Sequence, residues 1–358
     1  MRAASLRTTF KSFNAPSISS RGFAAKSSPQ ALQYTQHGAP KSVLKLENVE
    51  LPKLKDDQVL VKMVAAPINP ADINMIEGVY GKKAQLPAIG GNEGVGIVVE
   101  AGPKSSFKPN QHVIPSVAGL GTWRTHGVFQ HSDLLAVPEG IKPEYAATVS
   151  VNPATALRLL NDFADLKQGD YIIQNGANSA VGFAVIQLAK ARGIKTINIV
   201  RNRNNYEEVH ERLTRVGGDV VVTDEYLEGA QFKRLLLDLP QQPKLALDCV
   251  GGKSATGIAR TLAPNGTLVT YGGMSRKPAV VPTSLFIFKN IQHKGFWLTK
   301  WNEENPDKRQ QSMDELFKLI SQDKLKIWAE KRHLHEWAEA VEHSQAAYRD
   351  RKIVLSFE

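Results

Sequence analysis

Tyr171-Ile172-Ile173-Gln174-Asn175-Gly176-Ala177-Asn178-Ser179-Ala180-Val181-Gly182 opens the stretch that decides the fold. Its first four residues form a short apolar run of strand type, and the small residues after them suit a tight turn. Phe183, Val185, Ile186, Leu188 and Ala189 then recur at helical spacing, and Gly193 ends the pattern. A second strand pattern, Thr196-Ile197-Asn198-Ile199-Val200, leads into Arg201-Asn202-Arg203. Strand, small-residue turn, helix and parallel strand within about thirty residues predict the phosphate-binding half of a dinucleotide fold. Backbone N–H groups at the helix start suit a pyrophosphate, and small side chains permit its close approach. An NAD-binding chain carries Asp or Glu after the second strand, where it would repel a 2′-phosphate. Two guanidiniums there would grip one instead. The cofactor expected is NADPH. The loop departs from G-x-G-x-x-G, with Asn178 and Ser179 where tighter versions place glycine. An ordinary βαβ turn without a ligand is therefore the alternative reading of these residues alone.

Outward from this unit, 358 residues allow two domains with proper cores. No apolar run reaches eighteen residues, so no membrane-spanning helix is expected. The single cysteine, Cys249, excludes a disulfide framework and a four-cysteine zinc lobe. It lies in the apolar strand pattern Leu245-Ala246-Leu247-Asp248-Cys249-Val250, which makes it a core thiol and not a nucleophile. The formal net charge of +10 is concentrated at the start of the chain. Residues 1–46 hold Arg2, Arg7, Lys11, Arg21, Lys26, Lys41 and Lys45 and no acid, leaving 38 basic against 35 acidic residues elsewhere. The body is near neutral, which removes the charge argument for nucleic acid. The first 26 residues, rich in Arg, Ser and Ala and free of acid, have the composition of a mitochondrial transit peptide.

From Ala31 to Val149, β-type alternation and turn residues dominate. Val59-Leu60-Val61-Lys62-Met63-Val64 and Gly96-Ile97-Val98-Val99-Glu100 read as strands, with prolines between them and no long amphipathic helix. This pattern predicts a barrel-like β domain. Gly91-Asn92-Glu93-Gly94-Val95-Gly96 is glycine-rich but leads into a strand, so it reads as tight turns. Asn152 stands before Pro153 as a natural N-cap, opening a helix through Leu160. Further strands are expected at Asp219-Val220-Val221-Val222, Lys244 to Val250 and Thr267-Leu268-Val269-Thr270-Tyr271, with helices between them. The fold class is α/β: a doubly wound parallel sheet joined to the β domain. Helices over 309–322 and 334–347 and a strand at Lys352-Ile353-Val354-Leu355 return to the β domain.

This arrangement resembles the medium-chain dehydrogenase/reductase superfamily over nearly the whole chain after the leader, with Gly91-Asn92-Glu93-Gly94-Val95-Gly96-Ile97-Val98 matching its hallmark. Zinc-dependent members carry histidine where Asn92 stands, and a cysteine in the first domain, where this chain has none. The departure implies a zinc-free reductase. The closer resemblance is to mitochondrial trans-2-enoyl-thioester reductases. It is carried by Asn69-Pro70-Ala71-Asp72-Ile73-Asn74, Gly78-Val79-Tyr80-Gly81, Gly119-Leu120-Gly121-Thr122-Trp123-Arg124-Thr125 and Ser150-Val151-Asn152-Pro153. Asn178-Ser179, Tyr271-Gly272-Gly273-Met274 and Gly295-Phe296-Trp297-Leu298 complete the set. The resemblance implies a leader over 1–26, a discontinuous GroES-like β-barrel domain over 27–152 and 296–358, and a Rossmann domain over 153–295. It further implies NADPH-dependent reduction of an enoyl thioester on acyl carrier protein or CoA, the last step of the mitochondrial fatty acid elongation cycle. A homodimer is expected as well, while the near-neutral body and the lack of a long apolar run speak against a nucleic-acid partner and a membrane span.

Such a reaction asks for few groups. Hydride reaches Cβ from NADPH, charge collects on the thioester oxygen, and a proton must reach Cα. No metal is needed where hydrogen-bond donors face the enolate and a weak acid stands by Cα. By the resemblance that acid is Tyr80, whose phenol, with an ordinary pKa of about 10, is protonated at neutral pH; a plain turn tyrosine is the other reading. Asn152 would hold the nicotinamide ribose side, although helix capping would also explain it. Asn178, Ser179, Ala180 and Val181 would follow the pyrophosphate, where the usual loop has glycine in place of Ala180, a methyl that a negative φ accepts. Arg201, Asn202 and Arg203 would take the 2′-phosphate. Tyr271, Gly272, Gly273 and Met274 with Phe296, Trp297 and Leu298 would wall the nicotinamide and acyl space. Lys352 would lie beside the cofactor. Core packing is the alternative for Trp297, and a solvated strand-edge position the alternative for Lys352. A quinone reductase of the same superfamily and a non-catalytic NADPH-binding protein are the rival functions.

Overall fold

The computed structural model describes residues 28–348 and 351–357. The expected leader, residues 1–26, lies outside them. The quoted stretch folds as its pattern predicts. Numbered in chain order, one sheet contains β1 (Tyr171–Gln174), β2 (Lys195–Val200), β3 (Val220–Thr223), β4 (Leu245–Asp248), β5 (Thr267–Thr270) and β6 (Gln292–Gly295). All pairs are parallel, and the spatial order is 3-2-1-4-5-6. Alternation within β1 sends Ile172 and Ile173 to opposite faces. Ile172 packs in a cluster with Leu157, Val185 and Leu188, while Ile173 packs with Phe232, Ile258 and Leu262. Both faces are covered by helices, as a parallel sheet requires. The strand order reverses between β1 and β4, which leaves a crevice beyond their carboxyl ends.

The second architecture is an antiparallel sheet built around the ten-residue strand Gln58–Pro67, which pairs with Val95–Ala101, His126–Gln130 and Lys352–Ser356. The last pairing brings the chain's final strand back onto its first half, as expected. The strand Ala329–His333, which the pattern analysis does not anticipate, joins parallel to Lys352–Ser356. A three-stranded sheet of Lys45–Asn48, Gln30–Tyr34 and Ala88–Ile89 completes this part. Among the described residues no helix is long and apolar enough to cross a membrane.

One local expectation is corrected. The helix Asn152–Asp162 begins with Asn152 inside it, preceded by Val151, and no side chain caps it. The Asn152 amide donates instead to Asn69 Oδ1 at 3.0 Å. Proline still occupies the first turn, where its missing N–H costs nothing.

Candidate active site

Two cavities meet at Tyr271, Gly272 and Met274. The first, of about 560 Å³, lies over the carboxyl ends of β1 and β4. Asn178, Ser179, Ala180 and Val181 line it at the start of the helix Ala180–Ala191. Ser179 Oγ accepts from Gly182 N at 3.1 Å, capping the third N–H. The N–H groups of Ala180 and Val181 belong to the helix's open first turn, which favours an anion. Ala180 is the first helical residue and tolerates its methyl, whereas a Cβ on Gly182 would come within 2.5 Å of Ala177 O. Gly176 adopts φ +57°, and a Cβ there would meet Cys249 Sγ at 2.6 Å. Cys249 is thus packed under the loop, and burial pushes its thiol up to about 11. It is a core thiol, as its strand pattern predicts.

At the far end of this cleft stand Arg201, Arg212, Arg351, Trp328 and Tyr348. Arg201 lies over the Tyr348 ring at 4.7 Å, and Arg212 and Arg351 lie over the Trp328 ring at 5.4 and 5.6 Å. Asn202 and Arg203 do not line the cleft. The Asn202 amide donates to Glu225 Oε2 at 3.0 Å, and Arg203 Nη2 donates to Tyr348 O at 2.6 Å while stacking on that ring. Arg203 therefore supports Tyr348. Sequence reasoning missed Arg212, Arg351, Trp328 and Tyr348. The adjacency of Arg351 to Lys352 was the one available signal.

The second cavity, of about 800 Å³, is lined by Tyr80, Gly273, Phe296, Trp297, Leu298 and Thr299 among others. Trp297 Nε1 donates to Tyr80 Oη at 2.7 Å, and Thr299 Oγ1 lies 3.3 Å from the same oxygen. The two rings meet edge-on, with centroids 5.7 Å apart. A Cβ on Gly81 would touch the Trp297 ring at 3.2 Å, so the glycine permits this approach. Trp297 is 39% exposed, which excludes plain core packing. Phe296 is set by an edge-on contact with Phe163.

Between these cavities lies a buried polar cluster. Asn69, Asp72 and Glu93 are each at most 1% exposed. Asn69 donates through Nδ2 to Glu93 Oε1 at 2.8 Å and through its backbone N–H to Asp72 Oδ2 at 2.7 Å. Its Oδ1 accepts from Asn152 Nδ2 and from Lys352 Nζ. Glu93 Oε2 accepts from Ser150 Oγ and Val151 N. Burial pushes both carboxyls up, Asp72 to about 6 and Glu93 to about 7, although the Lys352 charge opposes the rise. Lys352 is thus no solvated edge residue: its strand is paired on both sides. Asn92 donates to Asp72 Oδ1 at 2.6 Å and accepts from Gly119 N at 2.8 Å, so its amide is fully engaged. Among the described residues no three His, Cys, Asp or Glu side chains gather to hold a metal.

The cleft fits NADPH on its own evidence. It offers an open helix N-terminus, a glycine that close packing requires, and arginines at the far end. The Tyr271 hydroxyl is buried where the cavities meet, beside Cys249 and Ser179, and burial above all holds its ionisation well above the usual tyrosine range.

Comparison with known proteins agrees with this geometry. The alcohol dehydrogenase GroES-like domain matches residues 55–158, and the zinc-binding dehydrogenase family matches residues 180–318. A mitochondrial enoyl-[acyl-carrier-protein] reductase of Dictyostelium discoideum is 48% identical over 93% of this chain and 96% of its own length. The chain belongs to that family, within the medium-chain dehydrogenase/reductase superfamily. Among solved structures, the Etr1p complex with NADP and crotonyl-CoA superposes with a TM-score of 0.87 at 36% identity, covering 92% of this chain and 99% of that one. The mitochondrial 2-enoyl thioester reductase Etr1p/Etr2p heterodimer from Candida tropicalis matches with the same figures. The α/β fold, a Rossmann sheet with a GroES-like domain, is the one expected of the family.

Proposed function

We propose that this protein is a mitochondrial reductase of trans-2-enoyl thioesters carried on CoA or acyl carrier protein, using NADPH. The observation that carries the reading is the Tyr80 hydroxyl, held by Trp297 at 2.7 Å in a cavity that opens onto the cofactor cleft. When bound, NADPH supplies a hydride to Cβ of the substrate. The chain's own task is to hold the acyl group against Phe296, Trp297 and Leu298 and to deliver a proton to Cα. The indole N–H occupies one lone pair of Tyr80 Oη, which orients the phenolic proton away from the indole. That is the work of a general acid. A quinone reductase needs no such donor, and a non-catalytic binder needs neither the hydroxyl nor its support.

In this reading Asn152, the 178–181 segment, Arg201 and Lys352 hold the cofactor, and Tyr271, Gly272, Gly273 and Met274 form the wall shared with the substrate. The domains divide as 27–152 with 296–358, and 153–295. We further assign a homodimer formed at β6. All four of its residues are exposed, and the neighbouring helix Thr283–Lys289 presents Ile287 and Phe288 at 66% and 81% exposure. An open edge beside an apolar patch favours pairing with a second copy, and a monomer in sedimentation would refute it.

The decisive assay is NADPH oxidation with trans-2-enoyl-CoA substrates of several chain lengths. Turnover of crotonyl-CoA to butyryl-CoA is expected. Turnover of quinones with no enoyl reduction would overturn the assignment.

A further inference from the structure

We propose that Asn69 is a positioning residue for the nicotinamide half of the cofactor, acting through Asn152 and Lys352. The inference rests on the NADPH reading above. Asn69 lines neither cavity, whereas Asn152 and Lys352 line the cofactor cleft. An amide offers one carbonyl and two N–H donors, and here both ends are committed. The carbonyl accepts from the Asn152 amide and the Lys352 ammonium, and the NH₂ group donates to Glu93. Turning the amide over would set NH₂ against an ammonium and oxygen against a carboxylate. Its orientation is therefore fixed from both sides, by the Lys352 ammonium at the carbonyl and by the Glu93 acceptor oxygen at the NH₂ group.

The backbone of Asn69 is held as firmly. Its N–H donates to Asp72, and Pro70 opens the helix Pro70–Ile76 directly after it. Three distant chain segments thus converge on the Asn69 side chain, through Glu93, Asn152 and Lys352 at the start of the final strand. Apolar residues would join these segments at less cost, since buried charges give up their hydration. What the polar arrangement adds is a definite place for two donors at the cleft wall. Asn152 is freed from capping its helix, and Lys352 is fixed at the start of its strand. Loss of the Asn69 carbonyl leaves both side chains without their shared acceptor.

The test compares two ligands on the full-length protein. NADPH carries both halves of the cofactor, whereas adenosine 2′,5′-bisphosphate carries only the adenosine and its phosphates. Dissociation constants are measured by calorimetry for the unmutated protein, Asn69→Ala, Lys352→Met and the double variant. Asn69→Ala is expected to weaken NADPH by about tenfold or more, the scale of one lost charged hydrogen bond, and to leave the bisphosphate within about twofold. Lys352→Met should behave alike, and the double variant should lose little more than the worse single change, because the residues act as one unit. With crotonyl-CoA, kcat should fall while its KM stays near the unmutated value. Equal weakening of both ligands, undiminished NADPH binding, or fully additive losses would each overturn the proposal. Should Asn69→Ala fail to fold, Asn69→Ser takes its place with the same expected and overturning outcomes, since its shorter hydroxyl keeps a polar group at the position but does not reach both Asn152 and Lys352. Crotonyl-CoA turnover by the unmutated protein tests the enoyl reductase reading separately.

Discussion

The two cavities share a wall but are built on different principles. The cofactor cleft relies on repetition: two open N–H groups of one helix turn, three arginines along its wall and two aromatic planes beneath them. The substrate cavity relies on one hydroxyl, Tyr80 Oη, with one indole donor and one nearby threonine. Binding a dianion can be spread over many weak contacts. Proton delivery to a single carbon cannot. The cleft should therefore lose function gradually under substitution, and the cavity abruptly.

The steepest test is Tyr80→Phe. It keeps the ring and its edge-on contact with Trp297 and removes only the hydroxyl. A positioned general acid contributes about 10²–10⁴-fold in rate, so kcat with crotonyl-CoA should fall by that order while NADPH affinity is retained. A variant with full kcat would make Tyr80 a structural turn residue, held by the backbone bonds from Val79 and Tyr80 to Asn74 O. Water could protonate the intermediate slowly, which sets a floor under the loss.

The cleft should answer more mildly. Replacing Arg201 and Arg203 with Gln removes one guanidinium from the cleft and the support of Tyr348. Each charged contact is worth about 1.5–3 kcal/mol, yet Arg212 and Arg351 remain. The ratio of kcat/KM for NADPH over NADH should fall by about 10–100-fold without reversing. Adding Arg351→Gln should narrow it further. An unchanged ratio in the triple variant would show that these arginines do not read the 2′-phosphate.

What the sequence disclosed follows the same divide. The strand, glycine turn, helix and Arg201 lie within one contiguous stretch, and local pattern suffices for them. The Arg201–Tyr348 contact joins residues far apart in the chain, and Tyr348 carries no local signal. Asn69 is less legible still. Its side-chain partners lie 24, 83 and 283 positions away, and Asn-Pro before a short helix reads simply as a cap. Asn152 shows the same trap: a cap was the cheapest local explanation, and a tertiary bond took its amide instead. The strand Ala329–His333, Ala-Glu-Lys-Arg-His, lacks apolar alternation because it lies at the sheet's end and pairs on one side only. Tyr80 became readable only through several matching segments taken together.

The smallest effect expected concerns stability in the cluster between the cavities. Glu93 is fully buried, and its folded pKa is raised to about 7, chiefly by burial. Lys352 opposes the shift and Asp72 adds to it, while Asp72 itself is raised to about 6, chiefly by burial, and Tyr34 is raised by burial first and by Asp72 second. A carboxyl whose folded pKa exceeds its unfolded one binds protons more tightly in the native state. Its stabilising contribution is complete below the unfolded pKa and is lost as pH rises through the folded value. For Glu93 that window runs from about 4.5 to about 7. Glu93→Gln removes the titration. It also leaves either Asn69 or the Ser150–Val151 pair with a poorer partner, which costs about 1–3 kcal/mol. The variant should therefore melt below the unmutated protein at pH 5, and the gap should shrink steadily toward pH 8, where the native carboxylate must be buried charged. Melting curves across this range provide the check. A gap that stays constant or widens with pH would mean that Glu93 is ionised throughout, with Lys352 fully compensating it through Asn69.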